Sequence, residues 1–259
     1  MANEPGTTSS DGLTIHYQVT GAGPPLILVH GWGADCQSNW YDSGWVDTLQ
    51  SIRTVICLDV RGHGRSDKPH ASTPYSYAAM SNDVIAVMDA LDIKRADYMG
   101  YSMGAFMGAW LLGHRTDRLH RVVLGGIGDE TPESAAQGAH IAAALRSTNE
   151  SQHAYADAVR AFVMANPRND LVALAYSAAQ MWPEGYPRRL VGQPQHPVTN
   201  PILIVNGALD EPYTHTGQQL ADTFMNGQYV TIPGHDHLSV VADPQFKETV
   251  VSFLDQNSP

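Results

Sequence analysis

Three residues of this 259-residue chain have the types and the order that covalent catalysis requires: Ser102, Asp210 and His237. Ser102 stands in Gly100-Tyr101-Ser102-Met103-Gly104. A serine in a Gly-x-Ser-x-Gly pattern sits where a strand turns sharply into a helix, its hydroxyl exposed above a sheet. The glycines leave room where strand and helix pass close together. A serine hydroxyl is a weak nucleophile at its own pKa, so it needs a neighbouring base and a third group to orient that base. With a serine on such a turn, the acid and then the histidine are expected later in the chain, each after a strand. Asp210 follows Ile202-Leu203-Ile204-Val205-Asn206-Gly207-Ala208-Leu209, and Pro233-Gly234-His235-Asp236-His237 follows the strand-like run ending at Ile232. The chemistry would be acyl transfer, with histidine moving the proton.

Negative charge develops on the carbonyl oxygen in such a reaction, and two backbone N–H groups are needed to meet it. Met103, directly after the serine, is expected to supply one. The loop after Leu26-Ile27-Leu28-Val29 reads His30-Gly31-Trp32-Gly33, and the Trp32 main chain is expected to supply the other. His30 reads as a brace for that loop. His235, Asp236 and His237 stand together, but no further Cys, His or carboxylate cluster completes a metal site. No metal and no organic cofactor are expected.

These residues must be held by alternating strands and helices. Leu26–Val29, Thr54–Leu58, Arg121–Leu124 and Ile202–Val205 are near-continuous apolar runs, as in parallel strands covered on both faces. Leu13–Val19 and Gln228–Ile232 read as further strands, and Ile93–Met99 as the strand leading to Ser102. Val84, Met88 and Leu91 make a helical stripe, as do Phe246, Val250, Val251 and Leu254 near the end. The pattern predicts an α/β doubly wound sheet.

The rhythm breaks from 129 to 196, which reads as helices over 134–146, 152–165 and 170–181, followed by an irregular return through Trp182-Pro183-Glu184-Gly185-Tyr186-Pro187. The expected division is a core of 1–128 and 197–259 and a helical cap of 129–196. Such an insertion is either a lid or a satellite subdomain. Phe162, Met181 and Trp182 are candidates for a substrate pocket, although the same residues would also serve as the cap's own core.

The formal net charge of −11 argues against nucleic acid or anionic lipid as a partner, and 43% hydrophobic with 16% charged residues indicates an ordered fold. Cys36 and Cys57 lack metal-ligand spacing, and nothing in the sequence pairs them, so a reduced compartment is the default expectation. The first residues carry neither a basic nor an apolar leader segment, and no apolar run approaches a membrane span. The expectation is a soluble cytoplasmic protein acting on a small molecule, with its oligomeric state open.

The pieces His30-Gly31-Trp32-Gly33, Asp59-Val60-Arg61-Gly62-His63-Gly64-Arg65-Ser66-Asp67, Gly100-Tyr101-Ser102-Met103-Gly104, Gly207-Ala208-Leu209-Asp210 and the histidine segment running to Pro244 occur in one order across nearly the whole chain. In this the chain resembles the α/β-hydrolase superfamily, in its small serine esterase, lactonase and haloperoxidase-like branch. The resemblance implies an eight-stranded, mostly parallel sheet flanked by helices, with the helical region in the place of the family's cap. It implies that the Arg61–Asp67 segment is a structural turn. It also favours His237 over His235 as the base, because His237 precedes Pro244 by seven residues, the family's interval. Serine at the nucleophile position argues against the family's dehalogenases and epoxide hydrolases, which use aspartate there. The expected activity is hydrolysis of a carboxylic ester or lactone. C–C bond hydrolysis, perhydrolysis and a ligand-receptor role on the same fold are the alternatives.

Overall fold

Alternation along the apolar runs builds the two layers that sandwich the sheet. A computed structural model describes residues 4–128, 132–147, 153–184, 187–192 and 197–255. Its strands are β1 (Glu4–Ser10), β2 (Leu13–Gly21), β3 (Pro25–Val29), β4 (Thr54–Leu58), β5 (Ala96–Tyr101), β6 (Leu119–Gly125), β7 (Ile202–Gly207) and β8 (Gly227–Ile232). They form one eight-stranded sheet in the order β1-β2-β4-β3-β5-β6-β7-β8. β1 and β2 pair antiparallel, β2 meets β4 antiparallel, and all remaining pairs are parallel.

Successive side chains of a strand face opposite sides. Leu26, Leu28, Val55, Cys57, Met99, Val123, Leu203 and Val205 therefore share one face. They pack against α1 (Trp45–Leu49) and the last helix, α9 (Pro244–Asp255), through Trp45, Leu49, Phe246 and Val250. Ile27, Val29, Ile56, Tyr98, Val122, Leu124, Ile202 and Ile204 share the other. That face is covered by α2 (Tyr77–Ala90), α3 (Met103–His114) and α8 (Tyr213–Ala221). Among the described residues, four helices stand between β6 and β7: α4 (Pro132–Arg146), α5 (Ala154–Met164), α6 (Leu171–Glu184) and α7 (Pro187–Val191). Ile141, Val163, Leu174 and Met181 from this insertion are buried and continuous with the second layer.

Four local expectations are corrected. β1 is a strand that the sequence reading did not include. It pairs with β2 through a turn in which Asp11 and Gly12 both have positive φ, the geometry of a two-residue hairpin loop. The strand before Ser102 begins at Ala96 and not at Ile93, because Ile93 belongs to the turn closing α2, its N–H bonded to the Met88 carbonyl at 2.8 Å. α6 runs on through Trp182 and Pro183, where an irregular return was expected. Pro183 lies in the helix's last turn, so the backbone bond it lacks weakens only the helix end. Gly185, Tyr186, Gln152 and both ends of the expected cap, Asp129 and His196, lie outside the described residues. Fourth, Cys36 and Cys57 are joined in a disulfide. Cys57 is on β4, and Cys36 lies in the loop after the neighbouring β3, which brings their Cα atoms to 5.7 Å. Spacing alone could not reveal this, since it depends on which strand lies beside β3.

Candidate active site

The sheet order fixes where a site must be. From β3 the chain crosses to β4 on one side, and β5 then lies on the other, so the connections diverge at the carboxyl ends of β3 and β5. A crevice opens at such a point. Ser102 follows β5, the 30–34 loop follows β3, and Asp210 and His237 follow β7 and β8 on the same edge.

Ser102 has φ 49° and ψ −116°, a conformation costing on the order of 1–3 kcal/mol for a residue with a side chain. Its N–H is held by the Gly125 carbonyl at 2.8 Å, and α3 starts at the next residue. The flanking glycines are required by proximity. A Cβ on Gly100 would meet the Gly104 carbonyl, and one on Gly104 would meet the Val29 carbonyl on β3. Ser102 is left partly exposed.

The His237 imidazole bridges two of the other residues singled out by the sequence. Its Nε2 lies 3.0 Å from Ser102 Oγ, and its Nδ1 lies 2.9 and 3.1 Å from the two carboxylate oxygens of Asp210. Asp210 is buried and His237 only partly so. His235 points elsewhere: its Nε2 is 3.0 Å from Asp243 and its Nδ1 3.3 Å from Ser239 Oγ. The loops carrying Asp210 and His237 also touch through the backbone, since the Leu209 N–H donates to the His235 carbonyl at 2.9 Å. This geometry can deprotonate a serine and stabilise the resulting imidazolium.

Met103 is the first residue of α3, where N–H groups have no partner within the helix. The 30–34 loop stands beside the serine, with Gly31 close enough that an added Cβ would contact Ser102 Cβ. The Gly31 N–H donates to Asn39 Oδ1 at 2.9 Å, and the Ala34 N–H donates to the Gly31 carbonyl. His30 Nε2 accepts the Val60 N–H at 3.0 Å, and its Nδ1 is 2.8 Å from the Gly31 carbonyl, so the ring ties this loop to the end of β4. Burial pushes the His30 pKa below its ordinary value, so the ring is neutral and fit for this mixed role. Asp59 anchors the neighbouring turn by accepting the Cys36 and Arg65 N–H groups, each at 2.8 Å.

Of the expected pocket residues, Trp182 packs edge-on against Trp32 with ring centroids 5.4 Å apart. Phe162 is exposed alongside Gly33, and Met181 is buried in the insertion's shared core. The sequence reading missed Tyr101 and Tyr213, whose rings lie 5.3 and 5.5 Å from the imidazole. Tyr101 had a signal, being adjacent to the serine; Tyr213 had none. Among the described residues, no group of three or more His, Cys, Asp or Glu is arranged to hold a metal ion, and no helix is long and apolar enough to cross a membrane.

Comparison with known proteins agrees with this architecture. The family model described as "alpha/beta hydrolase fold" matches residues 24–182. The chain is 28% identical over 252 residues to 3-oxoadipate enol-lactonase 2 of Acinetobacter baylyi, covering 92% of each protein. It superposes on the crystal structure of the enol-lactonase from Burkholderia xenovorans with a TM-score of 0.80 at 26% identity, covering 97% of this chain and all of that one. A hydrolase from Pseudomonas aeruginosa gives a TM-score of 0.79 at 29% identity, over 98% of this chain and 99% of that one. With the family model spanning more than half of the sequence and the sheet order, turn serine and strand-end loops in place, the chain belongs to the alpha/beta hydrolase fold family.

Proposed function

We propose that this protein is a serine hydrolase that cleaves a carboxylic ester or lactone through an acyl-enzyme on Ser102. The observation that carries the reading is the His237 ring, in hydrogen-bond reach of Ser102 Oγ on one nitrogen and the Asp210 carboxylate on the other. Ser102 Oγ attacks the carbonyl carbon while His237 Nε2 takes its proton, and Asp210 stabilises the imidazolium. The Trp32 and Met103 N–H groups receive the oxyanion. Collapse of the tetrahedral intermediate expels the alkoxide, which takes the proton from His237. In a lactone that alcohol stays attached to the acyl chain. Water, deprotonated by His237, then releases the acid and restores Ser102. Likeness to two proteins described as enol-lactonases, each across more than nine-tenths of this chain, favours a lactone or enol ester within this class. The α4–α7 insertion acts as a lid over the crevice, with Phe162, Met181 and Trp182 biasing acyl choice.

The test is turnover of a panel of 4-nitrophenyl esters, lactones and amides by the parent and by Ser102→Ala. The variant is expected to lose at least about 10⁴-fold in kcat while keeping its thermal midpoint. A Ser102→Ala protein with full activity would overturn the reading.

A further inference from the structure

The loop carrying Trp32 is held from two directions. On the core side, His30, Asn39 and Ala34 hold the Gly31 peptide group. On the other side the holds come from the insertion. Asn169, in the turn between α5 and α6, donates from Nδ2 to the Gly33 carbonyl at 2.8 Å and to the Val163 carbonyl at 2.9 Å. The Trp32 indole N–H donates to Ser177 Oγ on α6 at 2.8 Å, and that hydroxyl donates onward to the Leu174 carbonyl at 3.0 Å. Arg168 grips Asp35 in a two-pronged pair, Nε to Oδ2 at 2.6 Å and Nη2 to Oδ1 at 3.2 Å. Asp35 is buried, which raises its pKa, but the bonds from Arg168 and Ser38 outweigh this and hold the carboxyl below the ordinary range.

A lid that only selected substrates would not need polar ties to this loop. Gly33 has φ 76° with Val163 and Phe162 packed where its side chain would be, so the turn after Trp32 is moulded onto the insertion. The peptide N–H of Trp32 thus lies between one anchor set by the sheet and another set by the α5–α6 turn.

We infer that the α5–α6 turn and Ser177 are a positioning element for the oxyanion donor, so that the insertion contributes to the chemical step as well as to substrate choice. The inference rests on the serine-hydrolase reading. Arg168, Asn169 and Ser177 are positioning residues acting through Trp32. An oxyanion donor works only within a few tenths of an ångström of its acceptor, and a displacement near 1 Å costs about 10²-fold in rate.

The experiment uses the full chain with Ser177→Ala, Arg168→Gln and Arg168→Lys, assayed on 4-nitrophenyl acetate, whose acyl group is too short to sense the lid's apolar side chains. Phenylboronic acid, which forms a tetrahedral adduct on an active-site serine, is the inhibitor. Ser177→Ala and Arg168→Gln are each expected to lower kcat about 10-fold or more with KM within about 3-fold. The inhibition constant for phenylboronic acid should rise in step with the loss of kcat/KM, and Arg168→Lys should recover part of both. Folded variants that keep the parent kcat, or that change KM alone, would overturn the inference. Ser177 is fully buried; should its variant fail to fold, Arg168→Gln decides, since that side chain is 42% exposed. Loss of activity in Ser102→Ala beside an unchanged Arg168→Gln would defeat this inference and leave the hydrolase reading standing. A fully active Ser102→Ala would defeat both.

Discussion

The phenol of Tyr101 donates its proton to the main-chain carbonyl of His237, so the residue immediately before Ser102 holds the backbone of the residue whose ring meets Ser102. The Ser102 turn and the His237 loop are thereby registered on one another by a bond that crosses 136 positions of sequence. Burial raises the Tyr101 pKa well above its ordinary value, so the phenol remains a neutral donor wherever the fold persists.

Tyr101→Phe should keep the ring packing and lose only this bond. The expected result is a kcat lower by about 3- to 10-fold, together with about 1–3 kcal/mol less stability from the carbonyl left without its donor. Steady-state kinetics and urea unfolding check the two halves separately. Unchanged kcat would show that the histidine loop holds its place without Tyr101.

His237 and His235 should separate cleanly on alanine substitution. His237→Ala is expected to cost at least about 10³-fold in kcat. His235→Ala removes only a partly exposed pairing with Asp243 and a bond to Ser239, and should retain most turnover and cost no more than about 1 kcal/mol of stability. The reverse pattern would reassign the base.

Phe162→Ala and Trp182→Ala should alter acyl preference more than the pH profile. Phe162 presents an exposed ring beside Gly33, and Trp182 rests on Trp32, so both stand at the loop bordering Ser102. The ratio of kcat/KM for a hexanoate over an acetate ester is expected to shift by about 10-fold, the low end of what a methylene-sized change in apolar packing does to discrimination. An unchanged chain-length profile in both variants argues against the lid reading.

Acid should weaken the fold before the carboxylates titrate. Burial pushes the His63 pKa down from 6.5 to about 3. Between those values the unfolded chain binds a proton that the folded one refuses, so stability falls as pH drops below about 6.5, by up to about 1.4 kcal/mol per pH unit. His63→Asn should flatten that slope between pH values of about 6.5 and 4.5 in chemical denaturation. A variant slope equal to the parent's would contradict the assignment.

Much of the site was legible because its logic is local. The Gly100-x-Ser102-x-Gly104 turn announces itself, since only glycine fits where a strand and the following helix nearly touch. Apolar runs with alternating faces announce a covered parallel sheet. Ser102, Asp210 and His237 each stand just after a strand-like run, as side chains meeting at one edge of a sheet would. Even β1 has a local signal in Asp11-Gly12, a two-residue hairpin turn. The features that stayed hidden depend on pairs brought together by three-dimensional packing. Cys36 meets Cys57 only because β4 lies beside β3. Trp32 reaches Ser177 across 145 residues, and Asp35 reaches Arg168 across 133. Hydrogen-bonding side chains occur in every surface loop, and their spacing says nothing about which of them will face each other. Local patterns in the chain were enough to announce the covered sheet and to single out Ser102, Asp210 and His237 as candidates. How the helical insertion is tied to the loop beside Ser102 was decided by the tertiary structure alone, because it depends on where α5 and α6 settle on the sheet's edge.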